Sequence, residues 1–151
     1  MRTSEPIEWI DALLTGVAEV DQQHRILVDT LIEARAMLNG EAAGAPFERV
    51  SRDLLAYAIY HFDKEEQLMR IHGYAAAAPD AAARHLAEHR QFSERVVALR
   101  TAERLGEPGA GPALLSFLEA WLVNHTLTTD KALGLFICAT MPIPSEPAIN
   151  R

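Results

Sequence analysis

The feature that most constrains this sequence is a set of histidines on the apolar faces of four long helical patterns. Strand patterns are nearly absent, and glycine and proline separate the helical patterns. Five of the six histidines fall on the apolar stripes, where a bundle core is expected. Because an unpaired polar group in a core costs about 1–3 kcal/mol, the fold must supply these side chains with a common partner.

The helical patterns predict an all-α fold, an up-down-up-down antiparallel four-helix bundle with an N-terminal arm and a short C-terminal helix. A chain of 151 residues is the size of one domain, 1–151. We predict an arm over 1–20, in which Trp9 packs against the bundle, and a tail over 138–151. The predicted helices cover about 21–38, 46–72, 79–105, a segment that opens after 112, and 130–137.

Composition and charge exclude several classes of function. The net charge is −7 and the 14 Lys and Arg form no cluster, so we expect no nucleic acid and no anionic membrane as partners. We also expect no membrane insertion and no signal peptide, because long apolar runs are missing. Cys138 is the only cysteine, and we interpret it as a small apolar core residue. The expected location is cytoplasmic.

Two pairs of polar residues are spaced one helical turn apart. His61 and Glu65 are separated by four positions, and so are His85 and His89. This spacing places each pair on one helix face, with about 5–6 Å between Cβ atoms. His24 lies on the apolar face of the first helix. All five side chains can therefore reach the interior of a bundle.

A third pair, His125 and Asp130, is five positions apart. Five residues of a regular α-helix leave about 140° between two side chains. Both can face the core only if the helix changes its winding between them. We therefore predict an irregularity over 127–130.

The seven residues together indicate a metal centre. One core histidine is usually satisfied by a hydrogen bond, but five histidines and two carboxylates on four inward faces are not. They are too many for one tetrahedral zinc ion and suit two ions that share bridging ligands. Because the set lacks cysteine, imidazole and carboxylate favour iron or manganese over zinc or copper.

Two other metal motifs fit less well. Residues 85–89 read HLAEH, which matches the H-x-x-E-H pattern of some zinc peptidases. That interpretation leaves three histidines without a role, and we expect Glu88 to point to the solvent side of its helix. Ferritin-like bundles use Glu-x-x-His, and no glutamate precedes any histidine here by three positions.

The order and spacing of these motifs resemble the hemerythrin family, and the bacteriohemerythrins in particular. The matching elements are DQQH at 21–24, HFDKEE at 61–66, HxxxH at 85–89 and HxxxxDK at 125–131. Trp9 and Trp121 also lie where the family tends to have tryptophan. The resemblance covers roughly residues 7–137.

The resemblance implies a non-haem diiron site that binds dioxygen reversibly, with an oxo or hydroxo bridge between the two iron ions of each chain. Carried over by position, the ligands of one iron are His85, His89 and His125, those of the other are His24 and His61, and the bridges are Glu65 and Asp130. The count leaves one open position on the second iron, and a small ligand binds at an open position.

Residues near the ligands are candidates for the walls of a ligand pocket. They are Leu27, Phe62, Trp121 and Leu122, and for each of them plain core packing is an equally good interpretation. Thr126 departs from the aliphatic residue that the family often has there. Its hydroxyl could donate to a ligand or bond back to its helix.

Three further features are not part of the predicted site. The link Tyr74–Asp80 is longer than in most relatives and forms either a loop or an extra turn. His72 is interpreted as a helix cap, since a cation suits a helix C-terminus. Asp63 and Glu66 are expected to face solvent.

The resemblance implies an oxygen-binding protein for storage, delivery or buffering, and not an enzyme. Two alternatives stay open. One is an oxygen- or redox-sensing module that acts through a separate protein partner. The other is a diiron enzyme that handles peroxide, nitric oxide or iron.

Overall fold

The computed structural model describes residues 7–39 and 45–140, and every regular element within those ranges is helical. The elements are a 3₁₀ turn (Asp11–Leu13), α1 (Ala18–Asn39), α2 (Ala45–Ile71), α3 (Tyr74–Ala77), α4 (Pro79–Arg104), α5 (Ala110–His125), a π-helical turn (Thr126–Asp130) and α6 (Lys131–Thr140). The predicted all-α class is confirmed. Over the described ranges, no helix is long and apolar enough to cross a membrane.

The four long helices form a ring in which each contacts two others. α1 packs against α2 and α5, and α4 packs against the same two helices. Each long helix therefore has one face toward the interior and two flanks toward neighbours. This is a helical bundle, as the sequence predicts.

Along the helices, a layer of polar residues lies between two apolar clusters. The larger cluster includes Leu27, Ala58 and Phe92, and the smaller one includes Met69 and Ala82. In α2 and α4 the buried histidines occur between these positions in the chain. Because burial of a large apolar side chain stabilises a fold by about 1.5–3 kcal/mol, the two clusters hold the polar layer in place.

The chain ends differ from the prediction in two respects. α1 begins at Ala18, inside the predicted arm, and Trp9 packs half-buried against the main core as predicted. α6 continues to Thr140, so residues 138–140 are helical and the predicted start of the tail at 138 is wrong. Cys138 is exposed and is not a core residue, because it lies on the outer face of α6. Residues 1–6 and 141–151, which include most of the predicted tail, lie outside the described residues.

The link between α2 and α4 contains an extra helical turn, which is one of the two predicted forms. Gly73 has a φ of 68°, a left-handed conformation that favours glycine, and α3 follows it directly. Tyr74 is buried and its ring packs against that of Phe136, with centroids 4.9 Å apart. His72 lies just past the end of α2, and its Nδ1 is 3.3 Å from the Thr140 hydroxyl. The link therefore anchors α6 to the bundle.

The junction between α6 and the N-terminal segment requires a glycine at position 134. Gly134 is buried, and a Cβ there would overlap the backbone carbonyl of Thr15. We expect Gly134→Ala to lower the free energy of unfolding by about 1–3 kcal/mol, as overpacking does. In the control Gly111→Ala, the new Cβ makes ordinary contacts with Leu38 and Phe47. Urea denaturation measures both, and equal midpoints for the two variants would contradict the prediction.

Candidate metal centre

The seven residues predicted as ligands meet in one buried cluster between the four long helices. Each is at most 4% exposed. α1 contributes one histidine, and α2 and α4 each contribute a pair one turn apart. The last pair consists of the residue before the π-helical turn and the last residue of that turn. The residues are His24, His61, Glu65, His85, His89, His125 and Asp130.

The cluster consists of two groups that share both carboxylates. In each group, one potential ligand atom from every member lies within 4.8 Å of the others. The larger group contains three histidines and the smaller contains two. The larger is Glu65, His85, His89, His125 and Asp130, and the smaller is His24, His61, Glu65 and Asp130.

The Glu65 carboxylate presents one oxygen to each group. Its Oε1 contacts Nε2 of His61 and lies 3.9 Å from Nε2 of His24. Its Oε2 accepts a hydrogen bond from Nε2 of His85 at 2.7 Å and lies 3.9 Å from Nε2 of His89. The carboxylate therefore lies between the two sets of imidazoles.

The Asp130 carboxylate likewise presents one oxygen to each group. Its Oδ2 lies 2.9 Å from Nε2 of His24. Its Oδ1 lies 2.9 Å from Nε2 of His125 and 3.3 Å from Nε2 of His85. The Asp130 carboxylate therefore also lies between the two groups of histidines.

Many of these buried polar atoms lack a hydrogen-bond partner within the part of the chain that the structure describes. They are Nε2 of His24, His61, His89 and His125, Oε1 of Glu65, and both carboxylate oxygens of Asp130. Leaving such groups unsatisfied costs about 1–3 kcal/mol each. Because all of them can donate a lone pair, and imidazole with carboxylate suits iron, the donor set fits a pair of metal ions.

The π-helical turn brings Asp130 onto the same face as His125. The predicted irregularity is confirmed, and the π turn spans Thr126–Asp130. Hydrogen bonds from i to i+5 widen the helix, so that five residues make about one turn. Both side chains are consequently buried, with 2% of His125 and 1% of Asp130 exposed.

The outward nitrogens of three histidines have partners that the sequence analysis did not identify. The Nδ1–H of His61 donates to Oε1 of Gln23 at 2.7 Å. His89 donates to Glu66 at 3.2 Å, and His125 donates to Glu88 at 2.9 Å. These partners leave each Nε2 lone pair directed into the cluster.

The prediction that Glu66 and Glu88 face solvent is wrong. Both lie on the flanks of their helices and are only partly exposed, because in a ring of four helices a flank also faces a neighbouring helix. Glu66 on α2 reaches His89 on α4, and Glu88 reaches His125 at the end of α5. Asp63 is exposed, as predicted. The sequence did offer one signal for these two glutamates: Glu66 directly follows Glu65, and Glu88 directly precedes His89.

Burial and charge shift the pKa values of the cluster in opposite directions. Burial lowers the pKa of His24 and His85, but Asp130 and Glu65 outweigh it and raise each pKa to about 10. Burial dominates at His89 and lowers its pKa to about 3. Burial also raises the pKa of Glu65 and Asp130, yet the surrounding histidines lower it overall. The carboxylates are therefore ionised.

The predicted pocket residues lie beside the cluster. Leu27, Phe62, Trp121 and Leu122 help to line an apolar cavity of about 20 Å³. Phe62 and Trp121 also stack on His89 and His125, with centroids 4.0 and 4.2 Å apart. The other predicted pocket residue, Thr126, is not among those lining this cavity. Its hydroxyl is buried and makes no bond back to its helix.

Comparison with known proteins agrees with this geometry. Residues 15–134 match the family model described as the hemerythrin HHE cation binding domain. The chain belongs to the hemerythrin family. Its relatives include a bacteriohemerythrin of Pseudomonas aeruginosa (strain LESB58), 32% identical over 81% of this chain and 75% of that protein. A bacteriohemerythrin of Stenotrophomonas maltophilia (strain R551-3) is 33% identical over 82% and 76%. A hemerythrin-like protein of Naegleria gruberi is 26% identical over 83% and 88%.

The pKa shifts predict how the stability of the metal-free hemerythrin domain depends on pH. His89, with a pKa lowered from 6.5 to about 3, stabilises the fold above pH 6.5 and loses this contribution as the pH falls toward 3. The lowered pKa values of Glu65 and Asp130 act in the same direction. His24 and His85, whose pKa values are raised to about 10, stabilise the fold fully below pH 6.5. Their contribution decreases progressively as the pH rises to 10.

We therefore expect the urea midpoint of the metal-free protein to be highest near neutral pH and to fall toward both pH 4 and pH 10. Circular dichroism during urea titration at a series of pH values measures it. A midpoint that increases from pH 6.5 to pH 4 would contradict the assigned directions.

Proposed function

We propose that this chain binds dioxygen reversibly at two non-haem iron ions held by the seven-residue cluster. One observation carries the proposal. The carboxylates of Glu65 and Asp130 each present one oxygen to the three-histidine group and the other oxygen to the two-histidine group. Membership of the hemerythrin family supports it. In this proposal both carboxylates would help to hold both ions, because each belongs to both groups.

The unequal groups support one of the two metal positions as the place where a small ligand would bind. The position near His24 and His61 receives one protein nitrogen fewer than the position near the other three histidines. A metal ion with a missing protein ligand keeps a place for an external molecule. Ferrous iron held at this position would supply the electrons that make dioxygen binding favourable.

Apolar side chains beside the cluster exclude water. The cavity beside the cluster is lined by leucine, alanine and aromatic side chains, among them Leu27 and Leu122. An apolar diatomic molecule enters such a space without losing hydrogen bonds to water. The residues that line the cavity include no acid or base, which favours binding over the proton-consuming chemistry of a peroxide or nitric oxide enzyme.

An up-down-up-down order of the long helices completes the proposal. α1 packs against α2, and α4 packs against α5, which are consecutive long helices in the chain. Short links between such neighbours favour antiparallel packing. This order brings residues from all four helices into one layer.

Reversible oxygenation is the direct test. The iron-loaded protein is reduced under anaerobic conditions, exposed to air, and returned to vacuum while its visible spectrum is recorded. We expect a charge-transfer band that develops in air, disappears under vacuum and returns over several cycles. Immediate and irreversible oxidation on first exposure would contradict the proposal and favour a sensor or an enzyme.

The two-histidine position is tested by iron content. We expect His61→Ala to lose the iron of this position, because only His24 and the shared carboxylates remain there. The control is His72→Ala, whose side chain contacts Thr140 outside the cluster and which should retain two irons per chain. Elemental analysis with a protein assay measures the ratio. Two irons per chain in His61→Ala would refute the assignment.

A further inference from the structure

The outer hydrogen-bond partners of the histidines differ in charge between the two groups. In the three-histidine group, His89 and His125 donate to the carboxylates of Glu66 and Glu88. In the two-histidine group, His61 donates to the neutral amide of Gln23. The outer partners are therefore anionic on one side of the shared carboxylates and neutral on the other.

The contact with Glu88 is the best defined on the anionic side. The Glu88 carboxylate is fixed by two donors, Nδ1 of His125 at 2.9 Å and the Thr129 hydroxyl at 2.8 Å. Glu66 makes the longer contact with His89, at 3.2 Å. Because Thr129 lies in the π-helical turn, this turn positions both His125 and the outer partner of His125.

The remaining two histidines do not change this contrast in charge between the outer partners of the two groups. Nδ1 of His24 and Nδ1 of His85 are buried, and neither has a hydrogen-bond partner within residues 7–39 and 45–140. Each group thus contains one histidine of this kind. The contrast between the groups comes from Gln23 on one side and from Glu66 and Glu88 on the other.

An imidazole that donates its N–H to a carboxylate is a more basic metal ligand than one that donates to an amide. Greater electron donation and nearby negative charge stabilise the higher oxidation state of a bound metal, and outer hydrogen bonds are a known means of tuning potentials. The three-histidine position is therefore the better site for ferric iron. The two-histidine position, with Gln23, favours ferrous iron.

We propose that Gln23, Glu66 and Glu88 are positioning residues that make the two metal positions electronically unequal, so that the open two-histidine position is the more easily kept reduced. This inference rests on the proposed function, because it assumes that two iron ions are bound. It assigns a role to three residues that do not themselves reach the cluster interior. Glu88 should have a larger effect than Glu66, since its contact is shorter and is fixed by Thr129.

Mediated spectroelectrochemical titration of the iron-loaded protein tests the inference. Each ferrous ion gives one electron to the mediator and becomes ferric, so the native protein should show two separate one-electron steps. We expect Gln23→Glu to lower the upper potential and Glu88→Gln to raise the lower one, so that either variant brings the two steps closer together. If Gln23→Glu does not fold, Glu88→Gln alone carries the test.

Matched controls separate this effect from a change in net charge. Gln22→Glu adds the same charge one residue away at an exposed position of α1, and Glu94→Gln removes the same charge from an exposed position of α4. Neither control should change the separation of the two steps. If Gln23→Glu and Glu88→Gln behave like these controls, the inference is overturned.

Cobalt binding gives a readout that does not depend on oxygen. Titration of the metal-free protein with Co²⁺ should show two ions bound, with Glu88→Gln weakening the three-histidine position about 10- to 100-fold and Glu94→Gln changing neither. Fewer than two Co²⁺ ions in the native protein would overturn the proposed two-metal site together with this inference. Two ions with unchanged affinity in Glu88→Gln would overturn the inference alone.

Discussion

The structure depends on two ionised carboxylates shared among five buried histidines. Glu65 and Asp130 are at most 1% exposed, and each lies between the two groups of imidazoles. Isolated ionised groups in a protein interior are strongly unfavourable. The surrounding histidines relieve this through their positive charge and through the hydrogen bond from His85 to Glu65, and metal ions would relieve it further. The helices that supply the histidines are therefore tied to one another through these two side chains.

Around this polar layer, the bundle keeps water away by apolar packing. Met69 and Ala82 pack on one side of the layer, and Leu27 and Phe92 on the other, as their order along the helices requires. Aromatic rings extend the packing to the histidines, since Phe62 stacks on His89. Low polarity strengthens every electrostatic contact inside the cluster. An apolar cavity lies beside the cluster, lined in part by Leu27, Phe62 and Trp121.

Departures from regular helical structure occur where the site requires them. The π turn puts Asp130 on the face of His125, and its Thr129 holds Glu88 against the same histidine. The close approach of Thr15 to Gly134 seats α6 directly after this turn. Local geometry near the site thus places His125, Asp130 and Thr129, which holds Glu88, on a single helical segment.

The sequence alone is enough to predict the all-α class, the approximate helices, the seven inward residues and the irregular turn that ends at Asp130. These follow from local periodicity, because side-chain direction on a helix is fixed by position. The sequence did not reveal that Glu66 and Glu88 contact His89 and His125, or that Cys138 is exposed. These features depend on how the helices pack, because periodicity separates the inward face of a helix from the rest. It cannot distinguish a flank that meets another helix from one that meets water.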